Sequence, residues 1–258
     1  MPPSTRRSTG RQPAWRCLAR PLLAVSNALR RVTTGGRTAG NPFDSLAATW
    51  DADPARIARA ERVAAAIRER IPPGGTWLDF GAGTGLLGLA LLSHADHMVL
   101  ADTSPGMLAR AADKIAGLPD PSRASVLRSD LAEGPGMAAT YQAVVSLLAL
   151  HHLPDPATGL ARLAELVRPG GRLALCDLDP ERGAFHARAA TAPAHHGIDR
   201  DWLGAQLVDL GLTEVALTTV ATIRRHDRDF PLFLAVARKP GNRAAGPAGS
   251  VGRRGAAR

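Results

Sequence analysis

The sequence predicts an α/β fold: a doubly wound, mostly parallel sheet of seven strands with an antiparallel last strand and helices on both faces. Three observations support this prediction. Short apolar runs alternate with segments of helical period over most of the chain. The runs are continuously apolar, which is typical of strands covered by helices on both sides. Aromatic residues make up only 4% of the chain, which favours helices on a sheet over a β-sandwich.

Local signals place the alternating elements. The first helix is predicted to begin at Asp53-Pro54, where a capping carboxylate precedes a proline at the first helical position. Pro72 to Gly75 end this helix. The following strands are predicted at residues 76–80, 97–101, 124–128, 142–148 and 172–178, with helices at 85–93, 104–116 and 156–168. Right-handed crossovers between parallel strands then generate the double winding.

The pattern changes after Asp179. Residues 180–198 are irregular and hold three of the eight histidines. A helix is predicted at about 199–210, followed by strands at about 213–223 and 230–237. Because only a polar turn separates these two strands, we expect them to pair antiparallel.

Charge divides the chain into three parts. Eight arginines and no acid precede Pro42, and six basic residues and no acid lie from Arg238 onward. The remaining 18 basic residues and all 23 acidic residues lie between these two ends. The middle of the chain is therefore acidic and is not a basic nucleic-acid-binding surface. We therefore expect a disordered basic extension at 1–42, one domain at 43–239 and a disordered basic tail at 240–258.

Cysteine usage and hydropathy suggest a compartment. The two cysteines, Cys17 and Cys176, form neither a disulfide framework nor a metal motif, which indicates the reducing cytoplasm. No apolar run approaches the ~20 residues of a membrane helix, so no membrane segment is expected. The arginine-rich start has the composition of an organellar transit peptide, but thirty arginines against two lysines favour codon bias in a GC-rich genome.

Three glycines at alternate positions follow the first predicted strand, in Asp79-Phe80-Gly81-Ala82-Gly83-Thr84-Gly85. Glycine lets the backbone turn tightly and approach a ligand, and the helix start that follows presents unpaired N–H groups. The spacing differs from the G-x-G-x-x-G of dinucleotide binders. Asp102 lies about one β-α-β unit later, where a ribose hydroxyl pair needs an acceptor. A tight turn without a ligand is the structural alternative.

This motif with its downstream acid resembles motif I and its partner in the class I S-adenosylmethionine (SAM) methyltransferases, which have a Rossmann-like sheet. The resemblance covers about residues 43–239 and implies SAM as the cofactor. It places Asp79 and the three glycines at the amino-acid end of SAM and Asp102 on the ribose. It also implies SAM contacts from Trp50, Ala82, Thr103, Met107, Asp130, Leu131 and Leu148. Packing at the core edge for Trp50, core packing for Met107 and loop capping for Asp130 remain open.

Histidines follow the fourth and fifth predicted strands. His151-His152 resembles the Leu-His-His form found in small-molecule and quinone-type methyltransferases, and His151, or less favourably His152, is predicted as a general base. Packing under the loop or capping of the helix that follows is the structural alternative. Since neighbouring residues diverge in a loop, at most one of them should face the site. His186, His195 and His196 are predicted substrate contacts, with loop packing as the alternative. No metal site is predicted, because His151, His186 and His195 lack compact ligand spacing.

Taken together, these motifs predict SAM-dependent methyl transfer to a small molecule, with S-adenosylhomocysteine as the second product. A nucleic-acid methyltransferase that uses the basic termini is the second hypothesis, and the acidic middle argues against it. A SAM-binding or SAM-free interaction protein is the third, because fold alone does not establish function.

Overall fold

The computed structural model describes residues 41–130, 141–187, 191–225 and 227–241. Its helices are α1 (Pro54–Arg68), α2 (Leu86–Leu91), α3 (Pro105–Ala116), α4 (Pro156–Leu166) and α5 (Arg200–Asp209). Its strands are β1 (Thr76–Phe80), β2 (His97–Asp102), β3 (Ala124–Arg128), β4 (Tyr141–Leu147), β5 (Val167–Leu178), β6 (Thr213–Arg225) and β7 (Arg228–Arg238). A 3-10 segment at Asp44–Ala52, here called the entrance segment, precedes α1.

The seven strands form one sheet in the order β3-β2-β1-β4-β5-β7-β6. Every pair from β3 across to β5 is parallel, whereas β7 lies antiparallel between β5 and β6. The predicted double winding and the antiparallel last strand are confirmed. The strand order reverses between β1 and β4, and ligands of such sheets bind beyond the carboxyl ends of the strands at this point.

Helices cover both faces of the sheet, as predicted. Trp77 of β1 packs in a core cluster with residues of α1, α2 and α3, whereas its neighbour Leu78 packs in a second cluster with residues of α4 and α5. Successive strand residues point to opposite faces, so one apolar run supplies both cores. The edge strand β3 differs from the prediction of continuous burial, because its side chains alternate between more and less exposed positions. The other edge strand, β6, shows the same alternation, since each edge is only partly covered.

Side-chain caps fix where the helices begin. Asp53 accepts a hydrogen bond from the Ala55 N–H, which confirms the predicted start of α1. Ser104, Asp155 and Asp199 cap α3, α4 and α5 in the same way. Each cap satisfies an N–H that has no partner within the helix.

β5 begins five residues earlier than predicted. The Pro-Gly-Gly sequence at 169–171 indicates a loop, yet Val167 pairs with Tyr141 across an irregularity in the β4 register. The Gly170 N–H also donates to the Lys239 carbonyl. Among the described residues, none of the helices has the length and hydropathy needed to cross a bilayer.

Candidate active site

The glycine loop lies at the carboxyl end of β1, beside the end of β4. Gly81 and Gly85 have φ values of +65° and +81°, in the left-handed region that favours glycine. A Cβ on Gly81 would collide with the Cβ of Ala149, and one on Gly85 would lie 2.7 Å from Leu100 Cδ1. Close packing therefore requires glycine at both positions, and the loop is seated directly against the chain that follows β4.

Two acids anchor the elements around this loop. Asp79 is 1% exposed and accepts a hydrogen bond from the Gly88 N–H of α2 at 2.8 Å. Asp102 accepts from the Gly83 N–H at 2.7 Å and from the Ser104 N–H at 2.8 Å. Burial, followed by the nearby charge of Asp102, raises the pKa of Asp79 to about 8. A carboxylate has about four acceptor positions, so Asp102 retains capacity for further donors.

The entrance segment is tied down by two further acids that sequence analysis did not identify. Asp44 accepts a hydrogen bond from the Ser104 hydroxyl at 2.6 Å. Asp51 accepts from the Thr84 hydroxyl of the glycine loop at 2.6 Å and pairs with Lys114 of α3 at 2.7 Å. The Ser104 hydroxyl and then the Gly106 N–H lower the pKa of Asp44. These contacts hold the segment beside the glycine loop.

Trp50 lies half-buried in the entrance segment. The Arg56 guanidinium carbon is 4.0 Å from the centroid of its ring, and the Phe43 ring meets it edge-on at 6.0 Å between centroids. A cation of the chain itself therefore occupies one face of the indole. Any contact of Trp50 with a bound sulfonium has to use the opposite face or the ring edge.

The other residues predicted to contact SAM are distributed around the loop. The Ala82 N–H donates to the Ala101 carbonyl, and Met107 is 1% exposed, with its sulfur near Gly83. Thr103 is exposed and its hydroxyl accepts from the Asn41 side chain at 3.0 Å. Asp130 is an exposed residue shortly after β3. Leu131 lies outside the described residues.

Leu148 directly follows β4 in an unusual conformation. Its φ is +58°, a region that non-glycine residues seldom adopt. Its N–H donates to the Cys176 carbonyl of β5 at 2.8 Å. Strained residues of this kind cluster at functional sites, and this one turns the chain from β4 toward His151.

His151, His152 and His186 lie together in what we call the histidine cluster. The ring centroids are 4.2 Å apart for His151–His152, 5.1 Å for His151–His186 and 5.8 Å for His152–His186. The expectation that neighbouring histidines diverge is therefore wrong, because a short 3-10 turn at Leu150–His152 leaves both rings on the same side. Residues 180–187, which contain no helix or strand, bring in His186.

The other two predicted histidines are placed differently. His195 Nε2 lies 3.3 Å from the Pro154 carbonyl oxygen, and the His195 N–H donates to the His151 carbonyl. His196 has a side chain that is 56% exposed. Both flank the cluster without their rings joining it. Their predicted contact with a substrate stays a prediction.

Asp177 and Glu181 are the site residues that sequence analysis missed. Asp177 is 1% exposed and its Oδ1 lies 2.6 Å from His151 Nδ1. Glu181 Oε1 lies 3.7 Å from His186 Nδ1, and the Glu181 side chain is 4% exposed. An acid inside the apolar run Leu175-Cys176-Asp177-Leu178 was the available signal for Asp177, because a carboxylate is rarely buried unless it is paired.

Two histidines of the cluster have lowered pKa values, which favours their uncharged forms. Burial, reinforced by the neighbouring His151 and His186, lowers the pKa of His152 to about 4. Burial also lowers the pKa of His186. Phe43 connects the two parts of the site, since its ring contacts both Trp50 and, at 5.2 Å between centroids, His152.

Comparison with known proteins identifies the domain that carries this geometry. Residues 78–173, which include the glycine loop, Asp102 and the first two histidines of the cluster, match a protein family described as a methyltransferase domain. Residues 78–173 therefore belong to a methyltransferase domain. The prediction of a methyltransferase is thus confirmed for this stretch of the chain.

Curated relatives of this methyltransferase domain cover part of the chain. A demethylmenaquinone methyltransferase of Clavibacter sepedonicus is 33% identical over 122 residues, or 47% of this chain and 46% of the relative. A ubiquinone biosynthesis O-methyltransferase of Xylella fastidiosa is 34% identical over 122 residues, or 46% of this chain and 48% of the relative. The chain thus spans about half the length of these relatives.

A solved structure supports the fold of the methyltransferase domain. It is a chain from the complex between the Haloferax volcanii Trm112 methyltransferase activator and a methyltransferase, and it matches with a TM-score of 0.63 at 21% identity. The match covers 79% of this chain and 100% of that one. At this identity the likeness concerns the fold.

Proposed function

We propose that the chain transfers a methyl group from SAM to a small-molecule acceptor and releases S-adenosylhomocysteine. The observation that carries the proposal is the position of the histidine cluster, directly beyond the strand end against which the glycine loop packs. Phe43 contacts both Trp50 and His152, so the two halves of the site adjoin. A methyl donor and an acceptor held side by side in this way react mainly through proximity and orientation.

In this proposal the glycine loop and its acids bind SAM. Asp102 accepts hydrogen bonds from the ribose hydroxyls while it holds the Gly83 and Ser104 N–H groups. Asp79 keeps α2 against the loop beside the amino-acid end of SAM. Trp50, Ala82, Thr103, Met107, Asp130, Leu131 and Leu148 complete the proposed cofactor site.

The acceptor lies against the histidine cluster, and His186, His195 and His196 are its proposed contacts. Of the two histidines predicted as general bases, His151 is favoured. Asp177 accepts from its Nδ1–H, so Nε2 retains the lone pair that accepts a proton. Such a base suits an acceptor that loses a proton on methylation, as a hydroxyl does.

The proposed kind of acceptor is based on the apolar side chains near the histidine cluster and on the names of two relatives. Leu147 and Leu148, both partly buried, precede the cluster along the chain, and Phe43 and Phe185 contact its rings. The names of two relatives denote methylation in quinone biosynthesis. We therefore propose an acceptor with an apolar or aromatic body. The buried free thiol of Cys176 suits a reducing cytoplasm.

The proposal is tested with radiolabelled SAM and a fractionated extract of the source cells. Label in the small-molecule fraction, lost in the Asp102→Ala variant, is the expected result. Label in nucleic acid would contradict the proposal and would point to the basic termini as the anchor. Intact SAM binding with no transfer to any fraction would favour a binding protein. His97→Ala serves as the matched control, because His97 lies at the start of β2, at the opposite end of the strand from Asp102.

A further inference from the structure

The histidine cluster has a geometry that general-base chemistry does not require. The described part of the chain holds four buried side-chain N or O atoms without a hydrogen-bond partner, and three of them lie here: His151 Nε2, His186 Nδ1 and Glu181 Oε1. Folded proteins rarely leave such atoms unpaired, and each one calls for an explanation. His186 Nδ1 and Glu181 Oε1 lie 3.7 Å apart and face each other, so His151 Nε2 is the atom that points to a missing partner.

We propose that His151, His152 and His186 bind a divalent transition-metal ion that prefers imidazole ligands, with Zn²⁺ as the representative. One ligand nitrogen from each residue lies within 4.8 Å of the other two. Tetrahedral Zn²⁺ holds its nitrogens at 2.0–2.1 Å, which places nitrogens about 3.4 Å apart and ring centroids about 5 Å apart. The observed centroid distances of 4.2, 5.1 and 5.8 Å bracket that spacing. Displacements of the ring nitrogens by about 1 Å would therefore bring them to the spacing that Zn²⁺ requires.

Carboxylates behind two of the rings support the same assignment. Histidines that bind metals usually donate the other ring N–H to a carboxylate or carbonyl, which fixes the tautomer and orients the ring. Asp177 Oδ1 lies 2.6 Å from His151 Nδ1, and Glu181 Oε1 lies 3.7 Å from His186 Nδ1. In both residues the carboxylate faces Nδ1, which assigns Nε2 to the metal.

A site with three protein ligands leaves the fourth position of Zn²⁺ open, as in catalytic zinc centres. An acceptor oxygen bound at that position would lose its proton more readily. In the metal-loaded chain His151 is therefore a ligand rather than a general base. Metal binding itself does not depend on methyl transfer, and it is measured without SAM or acceptor.

This set of ligands differs from the one that sequence analysis considered and rejected. His152 takes the place of His195, whose Nε2 instead lies 3.3 Å from the Pro154 carbonyl oxygen. The prediction of no metal site relied on spacing along the chain, whereas the three ligands meet through the turn after β4 and residues 180–187.

The test uses the full chain, stripped with a chelator and titrated with Zn²⁺ in competition with a chromophoric chelator. We expect one Zn²⁺ per chain, and we expect Co²⁺ to give the visible absorption bands of a low-coordinate nitrogen site. Asp177→Asn should weaken Zn²⁺ binding about 10- to 100-fold, and His151→Ala should weaken it further. His97→Ala, a histidine outside the cluster, should leave it unchanged.

A second variant distinguishes the loss of a metal ligand from the loss of the folded structure. His186 lies outside the helices and strands and is less buried than His151, so His186→Ala should keep the native circular dichroism spectrum while losing Zn²⁺ binding and the Co²⁺ bands. Equal Zn²⁺ affinity in the natural chain, His151→Ala and His186→Ala would overturn the proposal, as would failure of the natural chain to bind Zn²⁺ at micromolar concentrations. Neither result bears on SAM binding, so the proposed function is judged separately.

Discussion

Replacing Asp102 with alanine should weaken SAM binding and loosen the glycine loop at the same time. The variant removes a carboxylate that accepts hydrogen bonds from the Gly83 and Ser104 N–H groups at 2.7 and 2.8 Å. Hydrogen bonds to a charged group contribute about 1.5–3 kcal/mol each, and the lower end applies here because Asp102 is only half-buried. Loss of two ribose contacts then costs about 3 kcal/mol, or about 100-fold in the dissociation constant.

Calorimetric titration with SAM and with S-adenosylhomocysteine measures this loss, and thermal unfolding measures the effect on the loop. We expect Tm to fall by several degrees, since about 1 kcal/mol corresponds to about 2–4 °C in a domain of this size. Asp113→Ala controls for the loss of one negative charge, because Asp113 is an exposed residue on α3. Unchanged SAM affinity together with a lowered Tm would refute the reasoning and would leave Asp102 as a purely structural residue.

Three further predictions address other parts of the site. The pKa of Asp79 is raised to about 8 in the folded chain, against about 3.9 when unfolded, so its stabilising contribution is complete below pH 4 and is lost as the pH rises toward 8. In urea unfolding of the SAM-free chain at pH 5.5, 7 and 8.5, the free energy of unfolding should therefore fall more steeply with pH than it does in Asp79→Asn. Parallel pH dependences of the two proteins would contradict this. Gly81→Ala should abolish SAM binding and destabilise the chain by about 2 kcal/mol or more, because the new Cβ collides with Ala149 at a positive φ, and calorimetry with chemical unfolding checks both effects. Asp51→Ala frees the entrance segment from Lys114. In stopped-flow measurements the variant should release SAM about fivefold faster, which corresponds to about 1 kcal/mol. An unchanged rate of release would show that the segment does not cover SAM.

Local signals predicted the fold well, and they also predicted where the glycine loop lies. Strand periodicity, helix caps such as Asp53 and the alternating glycines each involve only a few consecutive residues. Such signals can be read directly from the sequence. The positions of Gly81 and Gly85 follow the predicted tight turn, although sequence alone does not reveal the packing against Ala149 and Leu100 that makes glycine necessary.

The acceptor half was harder to predict because long-range contacts assemble it. Asp177 contacts His151 only because β5 lies beside β4. His186 lies in a segment without helix or strand, where the sequence has no regular hydrophobic period. The roles of Asp44 and Asp51 depend on how the entrance segment packs on α3. Local sequence rules carry no information about such contacts, which explains why His195 was considered as a metal ligand in place of His152.

The place of β7 in the sheet has a consequence for synthesis of the chain. β7 is the last strand of the described chain to leave the ribosome, yet it lies between β5 and β6 and pairs with both. Until it emerges, β6 has no neighbour in the sheet and β5 presents an open edge from Arg172 to Leu178. Open strand edges are templates for aggregation. The nascent chain therefore passes through a stage in which all the proposed cofactor residues have been made but the sheet beneath them is incomplete until residues 228–238 pair with β5 and β6.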